Sequence, residues 1–393
     1  MMHGFEFYTP TRVIFGAGSL EKLPEAVGRC GAKRVFVIYG GQSAKKSGTL
    51  DRVEALLTGA GIAFAVIGGV KPNPRLGLAR EAIREAIAFG ADLILAVGGG
   101  SVIDTAKATA HGTANPEADI WDIWMGKVKL EKSLPVGVVL TIPAAGSEMS
   151  DSAVLTDEAA LAKRGLNTDL NRPAFALMDP ALAATLPPRQ AACGVTDIMM
   201  HTLERYVNPL ENDMTDEIAE ALLRVVIRHG EAVVKNPGDI DAMSEIMWAG
   251  SLSHNNLTGL GGKKDFSVHQ FGQAVGEKFD IYHGETLSAM WASYARYVAP
   301  TNFARFARYA RNVWGVEEAD DEKAAVAGID ATEAYFKRLG MPVRIAELSC
   351  GVQDEAGLYD LALRCSRNRG RTIGSFRVLD FEDMLNVYQM ANK

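Results

Sequence analysis

Residues 93–107 read LILAVGGGSVIDTAK, an apolar run that meets three glycines and then a segment of helical period. Five consecutive residues drawn from Leu, Ile, Ala and Val, with no polar alternation, suit a strand buried on both faces, as in a parallel sheet covered by helices. Gly98, Gly99, Gly100 and Ser101 let the backbone pass close to a phosphate. The N–H groups and positive dipole end of the helix that follows favour an anion. The pattern is neither GxGxxG nor a Walker A sequence, so a plain strand-to-helix turn stays open beside a diphosphate cradle. Asp104, one turn on, suits either an acceptor for a ribose or nicotinamide group or a solvated first-turn carboxylate.

Outward from this stretch, short Val- and Ile-rich runs alternate with longer helical segments, the pattern of a doubly covered sheet. Strands are predicted at 12–15, 34–39, 63–67, 93–97, 136–142 and 174–178, with helices at 19–30, 49–61, 75–90 and 101–112. FGAGSLEKL near the start holds Gly16 and Gly18 but lacks the third glycine of a dinucleotide fingerprint, and reads as a turn. After Asp179 the strands stop. Periodic stretches at 185–208, 215–235, 241–254, 267–279, 285–298, 301–314, 321–339, 354–368 and 380–391 all suit helices. The expected organisation is an α/β domain with a mostly parallel sheet over residues 1–186 and an all-helical domain over 187–393.

Composition narrows the function classes. The chain has 393 residues, 48% hydrophobic and 23% charged, within the ordinary globular range. Its formal net charge of −7 leaves no basic excess to neutralise phosphates, so a nucleic-acid partner is not expected. Cys30, Cys193, Cys350 and Cys365 are widely spaced, which fits a reducing compartment better than a disulfide framework or a cysteine zinc site. No basic-then-apolar leader and no run near the ~18 apolar residues of a membrane span occurs. The expectation is a cytoplasmic protein without a membrane partner.

The loop Tyr39-Gly40-Gly41-Gln42-Ser43-Ala44-Lys45-Lys46 follows a strand. An acidic residue at such a strand end holds adenosine ribose hydroxyls, whereas small and basic groups admit a 2′-phosphate. Here the acid is absent. If a dinucleotide binds, Gly40, Gly41, Ser43 and the two lysines favour NADP(H) over NAD(H).

Seven histidines are few enough for placement to matter. His3 is near the N-terminus, and His111 and His229 each precede a glycine where a helix is expected to end; these read as structural. In VTDIMMHTLERY, Asp197 and His201 are four apart on a helix and share a face, where they suit a metal ion or an ordinary carboxylate–imidazole pair. FSVHQFGQAVGEKFDIYHGETLS adds His269 within a helix and His283 before the next. One oxygen and three nitrogens from Asp197, His201, His269 and His283 suit Fe(II) or Zn(II). His254, in SLSHNNLTG, is a rival, read as a buried or capping residue.

With these residues in hand, the chain resembles the iron-dependent (group III) alcohol dehydrogenase family, in its butanol dehydrogenase and broad-range aldehyde reductase branch. FGAGSLEKL, YGGQSAKKSG, KPNPRL, AVGGGSVIDTAK, LTIPAAGSEMS, LMDPALAATLPPRQ and both histidine segments fall in the family's order across nearly the whole chain. The resemblance implies a dinucleotide-binding α/β domain, an all-helical domain of the dehydroquinate synthase-like architecture, a divalent metal between them, and a homodimer. It implies metal ligands Asp197, His201, His269 and His283. It assigns Gly98 to Ser101 to the diphosphate, Asn73 to the adenosine side, and Thr141 and Lys163 to the same cofactor cleft. The GGxS form of the loop after Tyr39 is similar to the NADP-using branch. Gln273 stands where many relatives carry a second histidine; an amide is neither acid nor base near neutral pH, so no protein general acid or base is assigned.

The function expected is metal-dependent hydride transfer between NADP(H) and a primary alcohol or aldehyde. Two alternatives remain. A lyase of the dehydroquinate synthase type would want convergent cations near the metal, for which Lys263, Lys264 and Lys278 are the nearby candidates. A non-catalytic nucleotide-binding protein would make the histidines structural.

Overall fold

All six predicted strands appear in the computed structural model, which describes residues 2–160 and 162–393. They are β1 (Arg12–Phe15), β2 (Arg34–Tyr39), β3 (Ala63–Ile67), β4 (Leu93–Gly98) and β5 (Val136–Leu140), then, after a hairpin of β6 (Ser152–Asp157) and β7 (Ala162–Asn167), β8 (Phe175–Met178). The sheet order is β1-β8-β5-β4-β2-β3, parallel throughout. β4 is buried along its whole length, as its unbroken apolar run requires. The antiparallel β6–β7 pair was not expected: β7 reads AKRGLN, with no β-branched residue, and owes its form to its pairing with β6.

Helices α1 (Leu23–Arg29), α2 (Ser43–Lys46), α3 (Thr49–Gly59), α4 (Leu76–Phe89), α5 (Gly100–Ala114) and α6 (Ile120–Trp124) lie along this part of the chain. At Gly112 an added Cβ would sit 2.2 Å from Ile83, so glycine lets α4 and α5 approach closely. His111, just before it, is fully buried between Ser133 and Asn171, each 2.8 Å from a ring nitrogen. Both Asn171 amide hydrogens go to carbonyls, of Asp151 and Leu166, which turns its oxygen to the imidazole.

Burial holds His111 down to about 4, with Lys107 adding to the effect against the opposing Asn171 bond. A native value below the unfolded ~6.5 stabilises at neutral pH, and that stability drains as pH falls from about 6.5 to about 4. The expected loss is about 3 kcal/mol over that window. Thermal melts of the parent and His111→Gln across the window check this. The variant should have a lower midpoint at pH 7 and a flatter slope; parallel slopes would remove His111 as the cause.

The later chain is helical: α7 (Pro188–Tyr206), α8 (Asp213–Lys235), α9 (Ile240–His254), α10 (Ser267–Phe279), α11 (His283–Val298), α12 (Phe303–Trp314), α13 (Asp321–Arg338), α14 (Glu355–Cys365) and α15 (Phe381–Ala391). Two compact units result. The helical unit takes the residues up to Phe7, Pro187–Asn236 and Leu252–Lys393; the α/β unit takes Tyr8–Leu186 and Pro237–Ser251. In the α/β unit, Trp248 of α9 meets Phe15 edge-on at 6.3 Å, and the Ser251 hydroxyl donates to Glu148. In the helical unit, the fully buried Arg305 grips Asp216 with two 2.6 Å bonds and also donates to the Tyr206 carbonyl, which anchors the C-terminal end of α7. No described helix is long and apolar enough to cross a membrane.

Candidate metal centre and cofactor edge

Helix α7 presents Asp197, His201 and Glu204 at positions i, i+4 and i+7, one face of a helix that is buried over its last three turns. His269 comes from the second residue pair of α10, and His283 opens α11. Gly284 makes the last placement feasible: an added Cβ there would lie 2.6 Å from the Cys193 Cα on α7.

Three imidazole nitrogens surround one carboxylate oxygen. Asp197 Oδ1 is 3.5 Å from His269 Nε2, 3.6 Å from His201 Nδ1 and 3.8 Å from His283 Nε2. These separations exceed a hydrogen bond. They match donors about 2.0–2.2 Å from a shared ion, which stand roughly 3.3–3.5 Å apart across a tetrahedral angle. His201 Nδ1 and His269 Nε2 are buried without a hydrogen-bond partner, a costly state that a cation would relieve. The donor set therefore fits a divalent metal. Asp197, His269 and His283 form a mutually close trio, with donor atoms within 4.8 Å of one another. His201 lies outside that trio, its ring stacked on that of His269 at 4.6 Å.

Glu204, which sequence reasoning passed over, holds His269 from behind. It is 1% exposed, and its two oxygens take the His269 backbone N–H, at 3.1 Å, and ring Nδ1. With Nδ1 engaged by Glu204, Nε2 is the ring nitrogen turned toward Asp197 and the one left for a metal. Burial opposes charge on His269, but Glu204 and Asp197 outweigh it and raise the imidazole to about 9. His201 goes the other way: burial and then the neighbouring imidazoles hold it well below its ordinary value, neutral and ready as a donor. Glu204 was legible in principle, since it extends the Asp197–His201 face by another turn.

His254 also joins the cluster, its ring 4.0 Å from that of His201 and edge-on to it, though outside the close trio. His229 is on α8. Gln273, one turn after His269, donates to Glu277 at 3.1 Å.

The residues expected at a dinucleotide collect along the carboxyl edge of the parallel sheet. Gly40, Gly41 and Ser43 follow β2, Asn73 follows β3, Gly98 to Ser101 end β4 and open α5, and Thr141 follows β5. The strand order reverses between β2 and β4, and in open α/β sheets ligands bind at the carboxyl ends beside such a reversal. Added Cβ atoms would lie 2.5 Å from Val102 at Gly98 and 2.8 Å from Ile142 at Gly99, so close packing alone demands these glycines. Asn73 adopts a left-handed backbone, with φ 57°, and its side chain accepts from Lys163 Nζ at 3.1 Å.

Asp104 also has partners within the chain. Its oxygens accept from the Ser147 hydroxyl at 2.7 Å and the Val154 N–H at 2.9 Å. Lys107, fully buried and lowered to about 8 by that burial, donates to Ser147 Oγ and to the carbonyls of Ser150 and Ser152. Together they pin the loop after β5.

Comparison with known proteins agrees with this architecture. The model of the family described as iron-containing alcohol dehydrogenase matches residues 10–180, and that of the Fe-containing alcohol dehydrogenase family, C-terminal, matches 190–392. NADH-dependent butanol dehydrogenase A of Clostridium acetobutylicum is 36% identical over 99% of this chain and 100% of its own. NADPH-dependent aldehyde reductase YqhD of Escherichia coli is 34% identical over 88% of this chain and 89% of its own. The crystal structure of NADH-dependent butanol dehydrogenase A from Thermotoga maritima superimposes with a TM-score of 0.95 at 32% identity, covering 100% of this chain and 99% of that one.

Proposed function

The chain belongs to the iron-containing alcohol dehydrogenase family, and from that premise we propose that Asp197, His201, His269 and His283 hold its metal and that it prefers NADP(H) to NAD(H). It is an NAD(P)-dependent alcohol dehydrogenase, an oxidoreductase of alcohols and aldehydes that uses a metal and a nicotinamide cofactor. The observation that carries the metal assignment is the ring of three imidazole nitrogens 3.5–3.8 Å from Asp197 Oδ1. Iron is the metal in this reading, with zinc compatible with the same donors.

When bound, the ion supplies Lewis acidity toward the substrate oxygen, while the hydride chemistry is the cofactor's. The chain's own residues do the rest. Asp197 contributes the one negative charge among the donors, His201 is kept neutral by burial, and Glu204 fixes the ring of His269. Gln273 can orient a hydroxyl or a water but cannot carry a proton at neutral pH. The lyase alternative is weakened, since of its three candidate cations Lys278 pairs with Asp360 at 2.9 Å and Lys264 donates to Asn256.

We assign the cofactor to residues 1–186 and the metal to 187–393. The NADP(H) preference rests on the acid-free loop after β2, because the relatives include both NADH- and NADPH-dependent enzymes. An added Cβ at Gly40 meets nothing nearer than Val102 at 3.6 Å, so Gly40→Asp fits without strain. It should weaken NADPH more than NADH, by about 1 kcal/mol or more, through repulsion of the 2′-phosphate. Fluorescence titration of both cofactors measures the ratio. Equal losses would withdraw the preference.

A homodimer and a cytoplasmic location complete the reading. β1 is the outermost strand of the sheet and offers an edge, the adjoining Phe5, Phe7 and Tyr8 are exposed, and all four cysteines are free thiols. The overall test is aldehyde reduction by metal-stripped protein refilled with Fe(II) or Zn(II), run with NADPH and NADH in parallel. Failure to take up either ion, or turnover independent of metal, would sink the reading.

A further inference from the structure

Phe266, the residue before α10, has φ 56° and ψ 20°, a left-handed backbone that a bulky aromatic rarely adopts and that glycine would fill without strain. The flanking residues enforce it. The Asp265 N–H donates to the Glu204 carbonyl at 2.9 Å. One Asp265 oxygen accepts from the Ser267 N–H and the Tyr294 hydroxyl, the other from the backbone N–H groups of Ser375 and Phe376. A buried carboxylate with four donors thus locks the turn on both sides of Phe266, so its conformation is over-determined by its surroundings.

The ring so presented is a common neighbour of three imidazoles carried by three different helices. It meets His269 edge-on at 5.1 Å, and lies 6.2 Å from His201 and 6.4 Å from His254; the Arg205 guanidinium stacks on it at 4.7 Å. A turn that needed only its backbone shape would be best served by glycine, so a phenylalanine there points to work done by the side chain. We propose that Phe266 is a positioning residue of the metal centre. Its ring wedges the imidazoles of His201 and His269 into register, as partners outside the ligand set fix ligand orientation in metal sites. This inference rests on the metal assignment made above.

The test uses Co(II)-loaded full-length protein, whose d–d absorption reports coordination geometry. Phe266→Gly relieves the backbone but removes the ring; it should bind Co(II) at least about 10-fold more weakly, with an altered d–d band. Phe266→Tyr should restore parental affinity and spectrum. Phe266→Leu, which keeps an apolar side chain without a ring, carries the same expectation should the glycine variant fail to fold, as read by far-ultraviolet circular dichroism. Parental affinity and band shape in a folded Gly or Leu variant would overturn the proposal, including when the melting temperature falls, because that outcome describes packing alone. A parent protein that takes up no Co(II) would instead overturn the metal assignment, and this inference with it.

Discussion

His269→Ala is expected to remove bound metal and turnover together. The substitution deletes one of the three imidazole nitrogens around Asp197 Oδ1 and strands Glu204, a 1% exposed carboxylate, without its ring partner. Turnover should fall by on the order of 10³-fold or more, about 4 kcal/mol of transition-state stabilisation at 1.36 kcal/mol per decade. Far-ultraviolet circular dichroism should stay near the parent's, because α10 is held by Asp265 and by the packing of Val268 and Phe271, both fully buried. Metal analysis and initial rates on the same preparation make the comparison, with His229→Ala as the control that keeps both. Stoichiometric metal and normal turnover in His269→Ala would remove this residue from the centre and move attention to His254.

The second large effect belongs to Glu204. Glu204→Gln keeps the size of the side chain but withdraws the charge that engages His269 Nδ1. Carboxylates in this position behind a ligating histidine typically contribute 10- to 100-fold in metal affinity, and a loss of about that size is expected here. At saturating metal, turnover should recover in part, since the four proposed ligands remain. Competition for metal against a chelator of known affinity gives the number. An affinity equal to the parent's would show that the turn at Asp265 and the packing of α10 orient His269 without help from the carboxylate.

The sheet was legible because strands buried on both faces must be apolar throughout, and runs such as LILAV and RVFVIY leave no other economical reading. The helical half was legible for the complementary reason: one-sided burial imposes a period near 3.6 residues on each helix. The β6–β7 hairpin was not, because its strands carry Asp157, Lys163, Arg164 and Gly165 and are held by neighbours far off in sequence, such as the bond from the Thr156 N–H to the Pro74 carbonyl. In the metal centre, histidine is scarce enough for the donors to stand out. Glu204 shares the helix face of Asp197 and His201, but its partner His269 is 65 residues away, a contact that no local pattern encodes. Phe266 contradicts local propensity outright, and only the clamp around Asp265 explains how that conformation persists. The partners of Asp104 were hidden for a similar reason: Ser147 and Val154 lie 43 and 50 positions downstream.

The pairing of β1 with β8 also fixes an order of events during synthesis. The Gly18 N–H finds its acceptor in Asp179, 161 residues later, and among the described residues β1 pairs with β8 alone. At roughly 5–20 residues per second, the first strand leaves the ribosome some ten to thirty seconds before its partner exists. Through that interval the nascent chain carries an unpaired strand with Phe5, Phe7 and Tyr8 just ahead of it, a segment with every physical incentive to seek another surface. Completion of the sheet at β1 therefore waits for the emergence of residues 175–178.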